Sequence, residues 1–184
     1  KANVTVVDGN AAGSVIWILP DVPGLVTVDG FVLRNGRGTF GGAISAESNT
    51  AIAHNVVSGN VSTYGTIEIH SNSSVTGNTI VGNAGDGVRV YMGIASIANN
   101  PICANTKTGV SVSASQVSVV NSVVAHNVTG VFASGSSSSL SLRRNDVFGN
   151  AAYNYSGIAD PTGTDGNLSV DPKLSSLYRD VHIQ

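Results

Sequence analysis

Asparagine recurs at Asn60, Asn83, Asn105, Asn127 and Asn150, at intervals of 23, 22, 22 and 23 residues. A chain that keeps such a register must stack one structural unit on the next. Two aliphatic columns keep the same step. Eight residues before each asparagine stand Ile52, Val75, Ile97, Val119 and Leu142, and three before each stand Val57, Ile80, Ile102, Val124 and Val147. Five before each lies a second polar column, Asn55, Asn78, Asn100, Ser122 and Asn145.

After each turn a third segment alternates apolar with variable residues: Ile44 and Ala46, Ile67 and Ile69, Val88 and Val90, Val110 and Val112, Val131 and Ala133. Period two buries one face of a strand. The chain holds 22 glycines among many Ser, Asn, Thr and Val and few Leu, Glu or Lys, which starves helices and favours strands and tight turns. Three short strands and three turns per repeat, each coil roughly 4.8 Å above the last, predict an all-β, right-handed parallel β-helix of about 7–8 coils of roughly 22 residues. Its asparagines then form amide ladders at the corners, since Asn tolerates the left-handed conformation and bonds its own backbone there.

Residues 1–184 read as one such domain. Asn3 to Asn10 and Val26 to Leu33 fit the scheme as a strand followed by an Asx-Gly corner, while residues 154–167, rich in Gly, Pro, Asp and Thr, read as a loop before a last short strand at Leu168 to Val170. Lys1 to Val7 is too short to cap the first coil and lacks the h-region of a signal peptide. Open coil ends predict self-association or a preceding segment.

Charged residues make up 11 % of the chain, with a net charge of −2 and no run of either sign, so neither nucleic acid nor insertion into a membrane is expected. Cys103 is the single cysteine and reads as a small buried apolar residue. The glycine-rich string Gly36 to Gly41 is followed by no helical periodicity and reads as a long corner. His54, His70, His126 and His182 lack ligand spacing. Asp160, Asp165 and Asn167 offer oxygens suited to Ca²⁺, but Asp-Pro and Asp-Gly are ordinary turn pairs, and no cofactor is expected.

The strings Val6-Val7-Asp8-Gly9-Asn10, Val28-Asp29-Gly30-Phe31, Gly41-Gly42-Ala43-Ile44, Gly82-Asn83 and Asn145-Asp146-Val147-Phe148-Gly149-Asn150 resemble the bacterial pectin-lyase-like family of right-handed β-helix repeats. Tyr178 to Gln184 resembles the segment with which such domains leave the helix. The resemblance implies an extracellular or cell-surface domain that meets polysaccharide. It carries over no catalytic residues: the paired aspartates of the polygalacturonases, the clustered aspartates of a pectate lyase and the Asp-Pro-His of the mannuronan epimerases are all missing, and Asp171-Pro172-Lys173 has the wrong third residue.

Candidate site residues come from the repeat itself. The variable positions of the third strand form one column of Ser45, Glu68, Arg89, Ser111 and Phe132 and another of Glu47, His70, Tyr91, Ser113 and Ser134. Glu68, His70 and Arg89 are the catalytic candidates, and Glu47 and Tyr91 the substrate-binding ones, gathered on a solvent-facing patch roughly 10 Å across. They supply an acid or base, a cation for a sugar carboxylate and a ring for a sugar face, as a lyase or glycoside hydrolase of acidic polysaccharide requires. The bland alternative is an exposed Glu68–Arg89 ion pair with His70 and Tyr91 stacked beside it, on a non-catalytic structural or adhesive solenoid. Arg143 and Arg144 adjoin a corner and read as solvated.

Overall fold

A computed structural model describes residues 4–135 and 138–174. Every regular element among them is a strand, and all strand pairing is parallel between successive coils. Three sheets run the length of the solenoid. The first runs from Val26–Asp29 through Thr50–Ala53, Asn72–Thr76, Ile94–Ala98 and Gln116–Val120 to Ser139–Arg143, and the second from Thr5–Asp8 to Asp146–Phe148. The third, which carries the site, contains Ile16–Ile18, Ile44–Ala46, Val61–Ile69, Ala84–Tyr91, Thr108–Ser113, Thr129–Ser134 and Tyr153–Ser156, with Arg37–Gly38 paired to Val61–Ile69 at its side.

The aliphatic columns meet inside the tube. Ile52, Val75, Ile97 and Val119 from the first sheet, Val57, Ile80, Ile102, Val124 and Val147 from the second, and Ile67, Val88, Val110 and Val131 from the third have no exposed surface. At roughly 25 cal/mol per Å² of apolar area removed from water, this stack supplies most of the driving force for folding.

Buried asparagines join the coils. Asn60 donates from both its backbone N–H and its side-chain amide to Asn83 Oδ1, each at 3.0 Å, and Asn83 does the same to Asn105 Oδ1 at 3.1 and 2.9 Å. The ladder continues through Asn127 and Asn150 to Asn154, whose Oδ1 accepts from both nitrogens of Asn150. The second ladder runs Asn55, Asn78, Asn100, Ser122, Asn145, Asn167. Each rung thus satisfies a corner N–H that burial would otherwise leave without a partner. Gly87, Gly109 and Gly130 pack against the first ladder: a Cβ at Gly109 would stand 2.4 Å from Val124 Cγ1 and 2.9 Å from Asn127 Nδ2.

Several expectations are corrected. The segment 154–167 is not loop throughout, because Tyr153–Ser156 is a strand of the third sheet and Asn154 ends a ladder. Leu168 makes one bridge, to Asp146, and among the described residues no strand follows it. Near the start, by contrast, the expected strand is present, with Thr5–Asp8 paired to Phe31–Arg34. His182 and Tyr178 to Gln184 lie outside the described residues. Asn167 Oδ1 is occupied by Asn145, and Asp160 Oδ1 accepts the Thr162 N–H at 2.8 Å, so both serve the turn and the ladder. No group of three or more His, Cys, Asp or Glu that could hold a metal ion occurs among the described residues.

Candidate functional site

The third sheet aligns its outward residues as the repeat predicts. Trp17 pairs with Ser45, Ser45 with Glu68, Glu68 with Arg89, Arg89 with Ser111, and Ser111 with Phe132. Tyr91, on the neighbouring column, pairs with Ser113. All five candidates are brought together here, but they are not equally open to solvent.

Glu68 is the correction. It has no exposed surface, and Ser45 beside it and Ser111 on the far side of Arg89 are buried as well. The cause is the chain just before the strand. Six residues separate Asn60 from Ile67, against four between Asn83 and Val88 and three between Asn127 and Val131. The extra length bulges out of the strand between Val61, which pairs with Ala84, and Gly65, which pairs with Asp86, so that this bulged stretch, the arm at residues 61–66, brings its backbone against Glu68. Its Gly65 N–H donates to Glu68 Oε2 at 2.8 Å. Only glycine allows that approach, since a Cβ at Gly65 would stand 2.7 Å from Glu68 Oε2 and 2.8 Å from Arg89 Cβ. Ser62 Oγ donates to the Tyr64 carbonyl at 3.0 Å, Tyr64 N–H to the Thr39 carbonyl at 3.2 Å, and Lys107 Nζ to the Thr63 carbonyl at 2.5 Å. The arm is held along its whole length.

Beneath it, Arg89 Nη1 donates to Glu68 Oε1, and His70 Nε2 stands 3.4 Å from the same oxygen. Burial holds the Glu68 carboxyl above the ordinary carboxylate range; the Gly65 N–H, Arg89 and His70 pull it back down. The ion pair expected at the surface is therefore a desolvated one, with the Arg89 side chain only 15 % exposed. The guanidinium lies between two rings, 4.7 Å from the Tyr64 centroid and 4.8 Å from that of Tyr91. Phe40 stacks on Tyr64 at 5.1 Å and meets His70 edge-on at 5.9 Å, and His70 meets Tyr91 edge-on at 5.8 Å. Glu47 Oε1 is 4.0 Å from His70 Nε2 and accepts from Ser45 Oγ at 3.5 Å.

Residue counting within columns missed Phe40, in the corner before Ile44, and Tyr64 and Asp86, in the unevenly paired leading ends of the Val61–Ile69 and Ala84–Tyr91 strands. The signal that finds them is the unequal length of chain leading into the third sheet, seven residues between Gly36 and Ile44 and six between Asn60 and Ile67. Asp86 Oδ1 accepts the Thr108 N–H at 3.0 Å. Burial raises its carboxyl above the usual range, opposed by the Thr108 N–H, Lys107 and Arg89. Arg143 ends a strand of the first sheet and Arg144 follows it, so neither belongs to the sheet that carries the site.

A family model described as the right-handed β-helix region matches residues 21–164. The chain belongs to the right-handed β-helix family. No curated protein and no solved structure matches it. In this β-helix, the surface acid–base groups at the site are His70 and Glu47, with side chains 19 % and 29 % exposed, beside the open ring of Tyr91. Glu68 has no exposed surface and meets this pair through His70 Nε2, 3.4 Å from its Oε1.

Proposed function

We propose that this β-helix is a pectin-lyase-like domain that recognises polysaccharide outside the cell or at the surface of a bacterium, using the outward face of the third sheet. The observation that carries the reading is where the exposed aromatic rings lie. Trp17, Phe40, Tyr64, Tyr91 and Tyr153 are the exposed Trp, Phe and Tyr among the described residues, and every one belongs to the third sheet or to a corner leading into it. Exposed rings on a rigid sheet offer flat apolar platforms for the C–H faces of sugars, with little conformational entropy lost on binding.

Lyase or hydrolase chemistry on this face would run through His70, with Glu47 as its partner and Glu68 orienting it from below. The buried Glu68–Arg89 pair favours a second reading, a non-catalytic structural or adhesive module, since the pair is already used in holding the arm down.

A panel of neutral and uronate polysaccharides, scored for binding, new reducing ends and unsaturated products, separates the two. Binding that falls about two- to tenfold in Tyr91→Ala and in Trp17→Ala, the loss of one ring contact each, supports recognition. Turnover that disappears in His70→Ala makes the domain an enzyme. Failure to bind any polymer leaves the structural module standing.

A further inference from the structure

The charges at the aromatic face are already spent on one another, and this restricts the sugar chain the face can take. Arg89 has its guanidinium over two tyrosine rings and bonded to a fully buried carboxylate. A cation so placed is matched before any ligand arrives, and turning it toward a sugar carboxylate would strand Glu68 without a partner. Lys107, the second cation near the face, donates to the Thr63 carbonyl and draws down the carboxyl of Asp86. Arg37, paired with Val61 at the side of the sheet, lines a hollow with Asn10, Ala11 and Gly59, and none of the five site residues lines it.

Three carboxyl groups, Glu47, Glu68 and Asp86, thus face two permanent cations, Arg89 and Lys107. The excess negative charge is that of Glu47. Among the described residues its ion-pair partner is His70 at 4.0 Å, a group that is charged only when protonated. Its side chain is 29 % exposed, and it sits on the His70 and Tyr91 column where a sugar stacked on Tyr91 would lie.

We infer that this face selects uncharged sugar chains and discriminates against uronates, with Glu47 as the repelling group. The inference rests on the carbohydrate reading above and adds the class of polymer. Aromatic platforms bind either class through C–H faces, so the discrimination comes from a like charge placed where a uronate carboxylate would sit. A repulsion between partly exposed charges one or two rungs apart weakens as salt is added, unlike the stacking that both classes share.

Matched probes isolate the effect. We would measure, by calorimetry, the affinity for hexasaccharides of methyl-esterified and of de-esterified galacturonan, and of a neutral 1,4-glucan and its C6-oxidised form. Each would be taken at roughly 10 mM and roughly 1 M salt, where the screening length falls from about 30 Å to about 3 Å. The expected result is that an uncharged member of a pair binds at least fivefold more tightly than its acid at low salt, that the ratio falls toward one at high salt, and that Glu47→Gln brings it toward one at low salt. An acid form that binds as tightly as its neutral partner at low salt, or a ratio unmoved by Glu47→Gln, overturns the discrimination and leaves the carbohydrate reading intact. If none of the four probes binds, both the carbohydrate reading and this inference fall together.

Discussion

Replacing Arg89 with alanine takes away the cation that faces a carboxyl group with no exposed surface. In the wild type, burial already holds the Glu68 carboxyl above its usual value of 4.5. Without Arg89 it takes up a proton sooner than it remains an uncompensated buried charge. At 1.36 kcal/mol per pH unit, neutralising at pH 7 a group that ionises near 4.5 in the unfolded chain costs about 3.4 kcal/mol. That figure is the ceiling of the electrostatic loss. The elevation present in the wild type reduces the difference, while the lost contact with two tyrosine rings adds about 0.5–1 kcal/mol. The net expectation is about 2–3 kcal/mol at pH 7, a fall in midpoint of roughly 4–12 °C for a chain of this length.

The pH dependence has a definite sign. Because the folded state holds the Glu68 proton to higher pH than the unfolded chain does, this group's contribution is most favourable below 4.5 and declines as the pH rises above it. Arg89→Ala lifts the folded value further, so its deficit relative to wild type grows from about pH 5 to about pH 7. Urea denaturation at both pH values, with Glu68→Gln and the double variant alongside, measures this directly, and the double variant should recover part of the loss. A deficit below about 0.5 kcal/mol at pH 7, or one equal at both pH values, would refute the view that Arg89 compensates a buried charge.

The inward and outward registers of the first sheet are tested by Ile97→Asp, which buries an unpaired charge in the core and should cost more than about 4 kcal/mol, beside Ser96→Asp, which should stay within about 0.5 kcal/mol in thermal scans. Similar midpoints for the two would overturn the register. Asn105→Ala removes Oδ1 from two Asn83 nitrogens and an amide from Asn127 and Ile80; with buried donors left unpaired, a loss of about 2–4 kcal/mol is expected, and a neutral result would mean the ladder is decorative. Burial pushes the Cys103 thiol up to about 11, so native protein near pH 8 should resist iodoacetamide and react once unfolded in urea. Rapid labelling of the native state would place Cys103 outside the core.

Most of the coil was legible in the residues, for a physical reason. A solenoid repeats one environment at a fixed step, so Ile52, Val75, Ile97 and Val119 must share a chemistry, and the asparagines must share a partner. The corners obey no such rule. Tyr153–Ser156 escaped notice because Asn150 and Asn154 lie only four residues apart, which breaks the step even though Asn154 completes the ladder. Tyr64 and Phe40 escaped it because they have no equivalent one coil away.

The sequence by itself therefore determined the three-strand coil, the core columns, the ladders and the alignment of Glu68 with Arg89 and of Tyr91 with Ser113. It also determined that these side chains point away from the core. Only the tertiary structure decided whether pointing outward meant facing water. The arm at residues 61–66 is two residues longer than the corner of the coil above, and it lays its backbone over Glu68. A carboxylate that the period of two assigned to the surface thus became a buried one, matched to a guanidinium between two rings. Strand periodicity depends on the local backbone and can be counted. Solvent exposure depends on what another stretch of chain folds across, and that follows from corner length and close approach at Gly65, not from the repeat.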